Sequence, residues 1–215
     1  MIILAINTAS SHTGIALFDA SKLLAKNSWQ AHNDEAEKLM PAIAELLKKS
    51  GQKFSDIKQI YVIKGPGSFT GLRVGVTVAN TLAYLNQCEL FGITTFEYWH
   101  SVSDLPVVLY AGSGGVYLSL NKESEHQLIK LDELNDVLKE QKITEVSGDI
   151  TPPQAEVIKA NTLFFNSSKT FGEIIKIIIE KNLEPSHTAL KSVKIIQPLY
   201  IKEPGVTQIK KTCST

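Results

Sequence analysis

Three short runs rich in apolar residues open the chain, Ile2 to Asn7, Thr13 to Phe18 and Leu23 to Trp29. Turn residues separate them, Ser10-Ser11 and Asp19 to Ser21, so the pattern predicts a three-stranded meander. The period then changes. Leu39, Ile43, Leu46 and Leu47 follow the helical spacing, behind Asp34-Glu35-Ala36-Glu37, which has the form of a capping box, and the run stops at Gly51. A helix is expected here, with Pro41 either kinking it or opening a restarted one.

Gln59 to Ile63 then reads as a buried strand, Gly65-Pro66-Gly67-Ser68-Phe69-Thr70-Gly71 as a loop, and Leu72 to Leu85 as a second helix before a strand at Leu90 to Ile93. The order βββαβαβ differs from a plain βαβ repeat, because its sheet must be partly antiparallel. It is the order of one lobe of an actin-like or hexokinase-like domain. A polar hinge at Ser101 to Leu105 precedes a second set: strands near Val107 to Tyr110, Val116 to Leu120 and His126 to Leu131, a helix at Asp132 to Lys139, a strand at Glu145 to Ser147 and an amphipathic helix at Phe171 to Asn182. No sequence repeat links the halves. The predicted fold class is α/β, a two-lobed actin-like/hexokinase-like (ribonuclease H-like) fold with mixed sheets flanked by helices. The predicted boundaries are 1–104 for the first lobe and 105–215 for a smaller, divergent second lobe, whose last segment, about 194–215, returns to pack on the first. The polar tail after Pro204 is expected to fray.

Charge sharpens this picture only locally. The 22 basic residues balance the 22 acidic ones, which argues against a broad nucleic-acid-gripping face and leaves room for a local patch. All the basic residues but Arg73 are lysine. No apolar run approaches the roughly 20 residues needed to span a bilayer, and the apolar N-terminus lacks a basic leader, so the expectation is a cytoplasmic protein with no membrane contact. Cys88 and Cys213 have no metal-binding or redox spacing and are expected to be reduced thiols.

Candidate chemistry is sparse. Gly65, Gly67 and Gly71 are spaced GxGxxxG, which matches neither the Walker A loop nor the dinucleotide fingerprint, and Pro66 removes a backbone donor. A tight strand-to-helix turn and a phosphate site are both open readings of this loop. Gly71, Gly75, Ala79 and Ala83 form a small-residue stripe on a helix that is apolar on more than one side, which suits either burial in its own domain or docking of a partner. Arg73, in the first turns of that helix, opposes the macrodipole; a planar partner, carboxylate or phosphate, would offset this, or the residue is incidental, and the expectation is a carboxylate, either within the first lobe or across a partner interface. His12, His32, His100, His126 and His187 show no metal-ligand spacing, and Ser113, in Gly112-Ser113-Gly114-Gly115, reads as a hairpin turn more readily than as a nucleophile.

Ile3 to Ala9, Leu39-Met40-Pro41 and Gly65 to Gly75, in that order and spacing, resemble the bacterial TsaB family, also called YeaZ, and Pro198 to Lys202 looks like its closing PxYxR segment. The resemblance is strong over about the first hundred residues and weak beyond. It implies a two-lobed fold and a non-catalytic subunit in the synthesis of threonylcarbamoyladenosine on tRNA. It implies no cofactor, no metal and no catalytic residue, with peptidase activity the least supported reading. The implied partners are the catalytic relative TsaD as a heterodimer, the ATPase TsaE in a larger complex and a second copy when alone, with tRNA contacted mainly indirectly. The implied partner surface is the helical face of the first lobe carrying Glu35, Leu39, Met40, Ile43, Arg73, Val74 and Val78, with Gly65 to Gly71 (Gly65, Pro66, Gly67, Ser68, Phe69, Thr70, Gly71) as a structural loop. Asn7 stands where the family commonly has Asp, Glu35 where it often has His, Tyr110-Ala111-Gly112 where DAR is frequent, and Lys202 where it has Arg. The rival reading is a nucleotide-binding kinase or ATPase of the same superfamily.

Overall fold

The computed structural model describes residues 1–111, 114–149, 156, 158, 163–165, 169–183 and 190–201. The first sheet contains β1 (Ile2–Asn7), β2 (His12–Asp19), β3 (Lys22–Gln30), β4 (Ile57–Gly65) and β5 (Glu89–Thr94) in the order β3-β2-β1-β4-β5. The first three strands are antiparallel to one another, and β1, β4 and β5 run parallel. The second sheet contains β6 (Val107–Tyr110), β7 (Gly115–Ser119), β8 (Gln127–Lys130), β9 (Glu145–Asp149) and β10 (Leu163–Phe165) in the order β10-β9-β6-β7-β8. It repeats the first sheet's topology strand for strand: β6 to β8 antiparallel, then β9 and β10 parallel. The halves are thus related in structure although no sequence repeat links them.

Helices alternate with these sheets in layers. On the outer face of the first sheet, α1 (Glu35–Lys49) and α2 (Phe69–Asn86) enclose a core with Leu4, Ile6, Ile15, Leu17, Leu39 and Ile43. Between the two sheets lie α3 (Thr95–His100) and α5 (Phe171–Leu183), joined through Phe18, Tyr61, Phe96, Leu109, Tyr117 and Ile175. On the far side of the second sheet, α4 (Leu131–Glu140) closes a smaller core with Val108, Val116, Leu134 and Ile158. Apolar side chains on both faces of each sheet dictate this layering, since each face must be covered. Among the described residues, no helix is long and apolar enough to cross a membrane.

Several local expectations change. α1 does not restart at Pro41: it is one helix, in which the missing proline N–H leaves the Glu37 carbonyl without its usual donor four residues on. No capping box forms at its start, because Asp34 makes no side-chain cap bond and instead forms an ion pair with Lys38. α2 begins at Phe69, three residues before the predicted Leu72, because Ser68 serves as its N-cap, accepting the Gly71 N–H at 3.2 Å. The short α3 carries the capping box instead, between Thr94 and Glu97. Residues 190–201 lie against the first lobe. Val193 N–H donates to Leu90 O at 2.9 Å, Ile196 exchanges two hydrogen bonds of 2.9 Å with the Asn80 side chain, and Leu199 N–H donates to Lys64 O at 2.6 Å. Gly112, Ser113, His187, Lys202, Cys213 and the tail after Pro204 lie outside the described residues.

Candidate functional site

The loop that resembled a phosphate cradle is filled by the protein's own backbone. β1 ends at Asn7, whose buried side chain accepts the Ala9 N–H at 2.9 Å. The following turn, Thr8-Ala9, is bound to the start of α2: Thr8 Oγ1 donates to Gly71 O at 2.7 Å, and Ser68 N–H donates to Ala9 O at 2.6 Å. Three glycines make this approach possible. A Cβ at Gly67 would lie 2.2 Å from Ala9 O, one at Gly71 1.9 Å from Thr8 O, and one at Gly75 2.1 Å from Thr8 Oγ1. Gly67 and Gly71 therefore bring one backbone against another, Gly75 makes room for the Thr8 side chain, and the Ser68 and Gly71 N–H groups already have acceptors. Of the two readings of this loop, the tight strand-to-helix turn is the one the geometry supports. Gly71, Gly75, Ala79 and Ala83 are buried within the lobe, so the small-residue stripe faces inward.

The opposite faces of α1 and α2 look outward. Of the residues on the implied partner surface, Met40 and Arg73 stand exposed, Val74 and Val78 are half-buried at its margin, and Glu35, Leu39 and Ile43 lie beneath it in the lobe's own core. Glu35 is a buried carboxylate with an oxygen that has no hydrogen-bond partner. Tyr84 and Leu85, at the far end of α2, are 76% and 68% exposed. Sequence reasoning did not single out these two as surface residues, because apolar positions on a helix apolar nearly all round carry no outward signal.

Arg73 has no carboxylate partner among the described ion pairs, which corrects the expectation of such a pair within the lobe. Its guanidinium lies 5.5 Å from the centroid of the Phe69 ring, which in turn packs against Tyr200 at 5.0 Å, tilted by 41°. A cation over an aromatic face offsets its unfavourable place near a helix N-terminus.

Between the lobes lies a second group that sequence reasoning missed. Asp149 ends β9 opposite Leu109, which shares its face with Tyr117 in the core between the sheets. Burial pushes the Asp149 carboxyl above the usual aspartate range, and His12 and the Ser10 hydroxyl from the β1–β2 turn draw it partly back. The only sequence signal was its place at the carboxyl end of a parallel strand, where α/β folds gather ligands. His100, at the end of α3, is buried with its Nε2 3.1 Å from Ser119 Oγ on β7, and burial lowers its pKa. Cys88 is half-buried, and desolvation pushes its thiol up. Among the described residues no group of three or more His, Cys, Asp or Glu side chains could hold a metal ion.

With the geometry in hand, the chain can be compared with known proteins. A family model described as TsaD: tRNA N6-adenosine threonylcarbamoyltransferase matches residues 29–171. A protein named tRNA threonylcarbamoyladenosine biosynthesis protein TsaB from Bacillus subtilis is 36% identical over 97 residues, covering 45% of this chain and 42% of the relative. Its namesake from Buchnera aphidicola is 26% identical over 205 residues, 86% of this chain and 96% of the relative. The Bacillus match thus spans less than half the relative's length, and the Buchnera match nearly all of it. Among solved structures, YeaZ from Pseudomonas aeruginosa superposes with a TM-score of 0.64 at 15% identity, covering 82% of this chain and 89% of that one. An uncharacterized protein described as similar to peptidase YEAZ from Pseudomonas aeruginosa reaches 0.72 at 14% identity, covering 94% and 99%. At such identities the likeness is one of fold.

Proposed function

Since the chain belongs to the TsaB (YeaZ) family, within the wider family whose model is described as TsaD, we propose that it is a non-catalytic subunit of the cytoplasmic machinery that installs threonylcarbamoyl groups on tRNA adenosine. The observation that carries this reading is the closure of the Gly65 to Gly71 loop on Thr8 and Ala9. Where a nucleotide-handling relative would bring phosphates, this chain brings its own backbone, and the strand-end position holds Asn7 tied to Ala9 rather than a free carboxylate. What remains open to a partner is the outer face of α1 and α2, with Met40, Arg73, Tyr84 and Leu85 exposed.

In this reading α1 and α2 dock on TsaD, TsaE joins the larger assembly, and the same face pairs two copies when TsaD is absent. Most of the grip on tRNA falls to TsaD. Co-expression with TsaD from the same cell, followed by size-exclusion chromatography without added nucleotide, tests the proposal. Co-elution as a heterodimer is expected; persistent separation overturns it. Calorimetric titration with ATP and magnesium tests the rival kinase or ATPase reading, for which tight binding by the isolated chain would speak.

A further inference from the structure

The Phe69–Tyr200–Arg73 cluster is unexplained by the core and shares only Arg73 with the helix face assigned to TsaD. Both rings are surface features, Phe69 38% and Tyr200 40% exposed, although side chains of this size are ordinarily covered. They come from distant parts of the chain. Phe69 opens α2, and Tyr200 is brought beside it because Leu199 N–H is bonded to Lys64 O at the end of β4. Arg73, one helical turn along, lies over the Phe69 ring with no described carboxylate partner.

Along the two stretches of chain that build the cluster the charge has one sign, with Glu97 the acid that lines a pocket beside Lys64 and Lys191. Between Asp56 and Glu89 the chain carries Lys58, Lys64 and Arg73 and no acidic residue, and the returning segment 190–201 adds Lys191 and Lys194, again with no acid. Within a chain of zero net charge, these two adjoining segments are locally cationic. Tilted, half-exposed aromatic rings beside an arginine, in a cationic setting, are the means by which proteins hold unpaired bases: each ring face accepts a base by stacking, and the cations meet its phosphates. Along α2, at 1.5 Å per residue, Phe69 lies about 22 Å and Arg73 about 17 Å from Tyr84, so the cluster is not the apolar end of the helix.

We propose that Phe69, Tyr200 and Arg73 form a stacking platform for an unpaired base of RNA. This rests on the tRNA-modification reading and adds to it one direct contact from this subunit. It is tested with the full chain, alone and as its TsaD complex, by fluorescence anisotropy of a labelled RNA hairpin with an unpaired loop and of the same stem fully paired. The Phe69→Ala/Tyr200→Ala double variant should lose about tenfold in affinity for the hairpin and little for the duplex. Phe69→Trp should retain the hairpin. Arg73→Ala should reduce the slope of log affinity against log salt by about 1.

The proposal is overturned if the double variant, melting like the parent, binds the hairpin as well as the parent does. It is equally overturned if neither the parent chain nor its complex prefers the hairpin, or if the variants lose TsaD co-elution and nothing else, which would make the cluster a protein contact. Should the double variant melt early, Phe69→Trp and the Arg73→Ala salt slope decide. Failure of wild-type co-elution with TsaD would instead strike the functional reading on which this one rests.

Discussion

The two lobes use one strand order for different ends. In the first, strands of 6, 8, 9, 9 and 6 residues carry α1 and α2 on their outer face. In the second, strands of 4, 5, 4, 5 and 3 residues carry the ten-residue α4. At the first lobe's strand ends, backbone closes on backbone through Gly67 and Gly71, and Gly75 makes room for the Thr8 side chain. The corresponding region of the second presents Asp149, a half-buried carboxyl held above its usual range by desolvation. Shared topology therefore does not mean a shared role. The first lobe holds a large core under α1 and α2 on its outer face, the second a smaller one under α4, and both contribute to the core between the sheets.

Five substitutions would break or sharpen that contrast. The largest effect is expected from Gly71→Val, which sets a branched side chain where even a Cβ meets Thr8 O at 1.9 Å. A loss of more than about 3 kcal/mol in denaturant unfolding is expected, and a near-neutral result would mean the loop is not closed as described. Leu134→Ala, confined to the outer core of the second lobe, should cost about 3 kcal/mol. Its fluorescence and circular-dichroism transitions together separate the lobes, since Trp29 and Trp99 report on the first lobe and the layer between the sheets and circular dichroism on both lobes. One coincident transition would show that the lobes unfold together; two would show that the second can melt alone.

Asn80→Ala removes both hydrogen bonds to Ile196 and should cost about 1–2 kcal/mol, with faster proteolysis of the segment beyond residue 190 as its specific mark. The smallest effects are those of pH on the cleft. His100 has a native pKa below its ordinary 6.5, so the unfolded chain binds the proton first and stability falls as pH drops below about 6.5. His100→Gln should flatten that fall in melting temperature. Asp149 shifts the other way, above 3.8, so stability is lost as pH rises from there through its native value. Asp149→Asn should therefore melt higher than the parent at neutral pH and equal it in acid.

Much of this architecture was legible in the residues. β1 and β6 were read with the bounds they have, because apolar runs between turn residues leave little freedom of register. α2 was started late because Ser68 reads as loop until its hydroxyl is seen to cap the helix. α3 was missed because six aromatic-rich residues are too few to show a helical period. At the candidate site, the motif from Gly65 to Gly75 showed where the chain is constrained and not what constrains it. The partner of those glycines, Thr8-Ala9, comes from another strand end, and Tyr200 reaches Phe69 only through the fold. Arg73 was read as needing a carboxylate, since charge is visible in a sequence and ring placement is not.

The return of residues 190–201 to the first lobe has a further consequence during synthesis. β5 is the outermost strand of the first sheet, and the Val193 N–H that pairs with Leu90 O emerges about a hundred residues later. At roughly 5–20 residues per second, that edge stays unpaired for about 5–20 seconds after its own strand has been made. An open edge is a template for another chain. The nascent first lobe is thus most exposed to aggregation or to chaperone capture in that interval, until the late segment covers its edge.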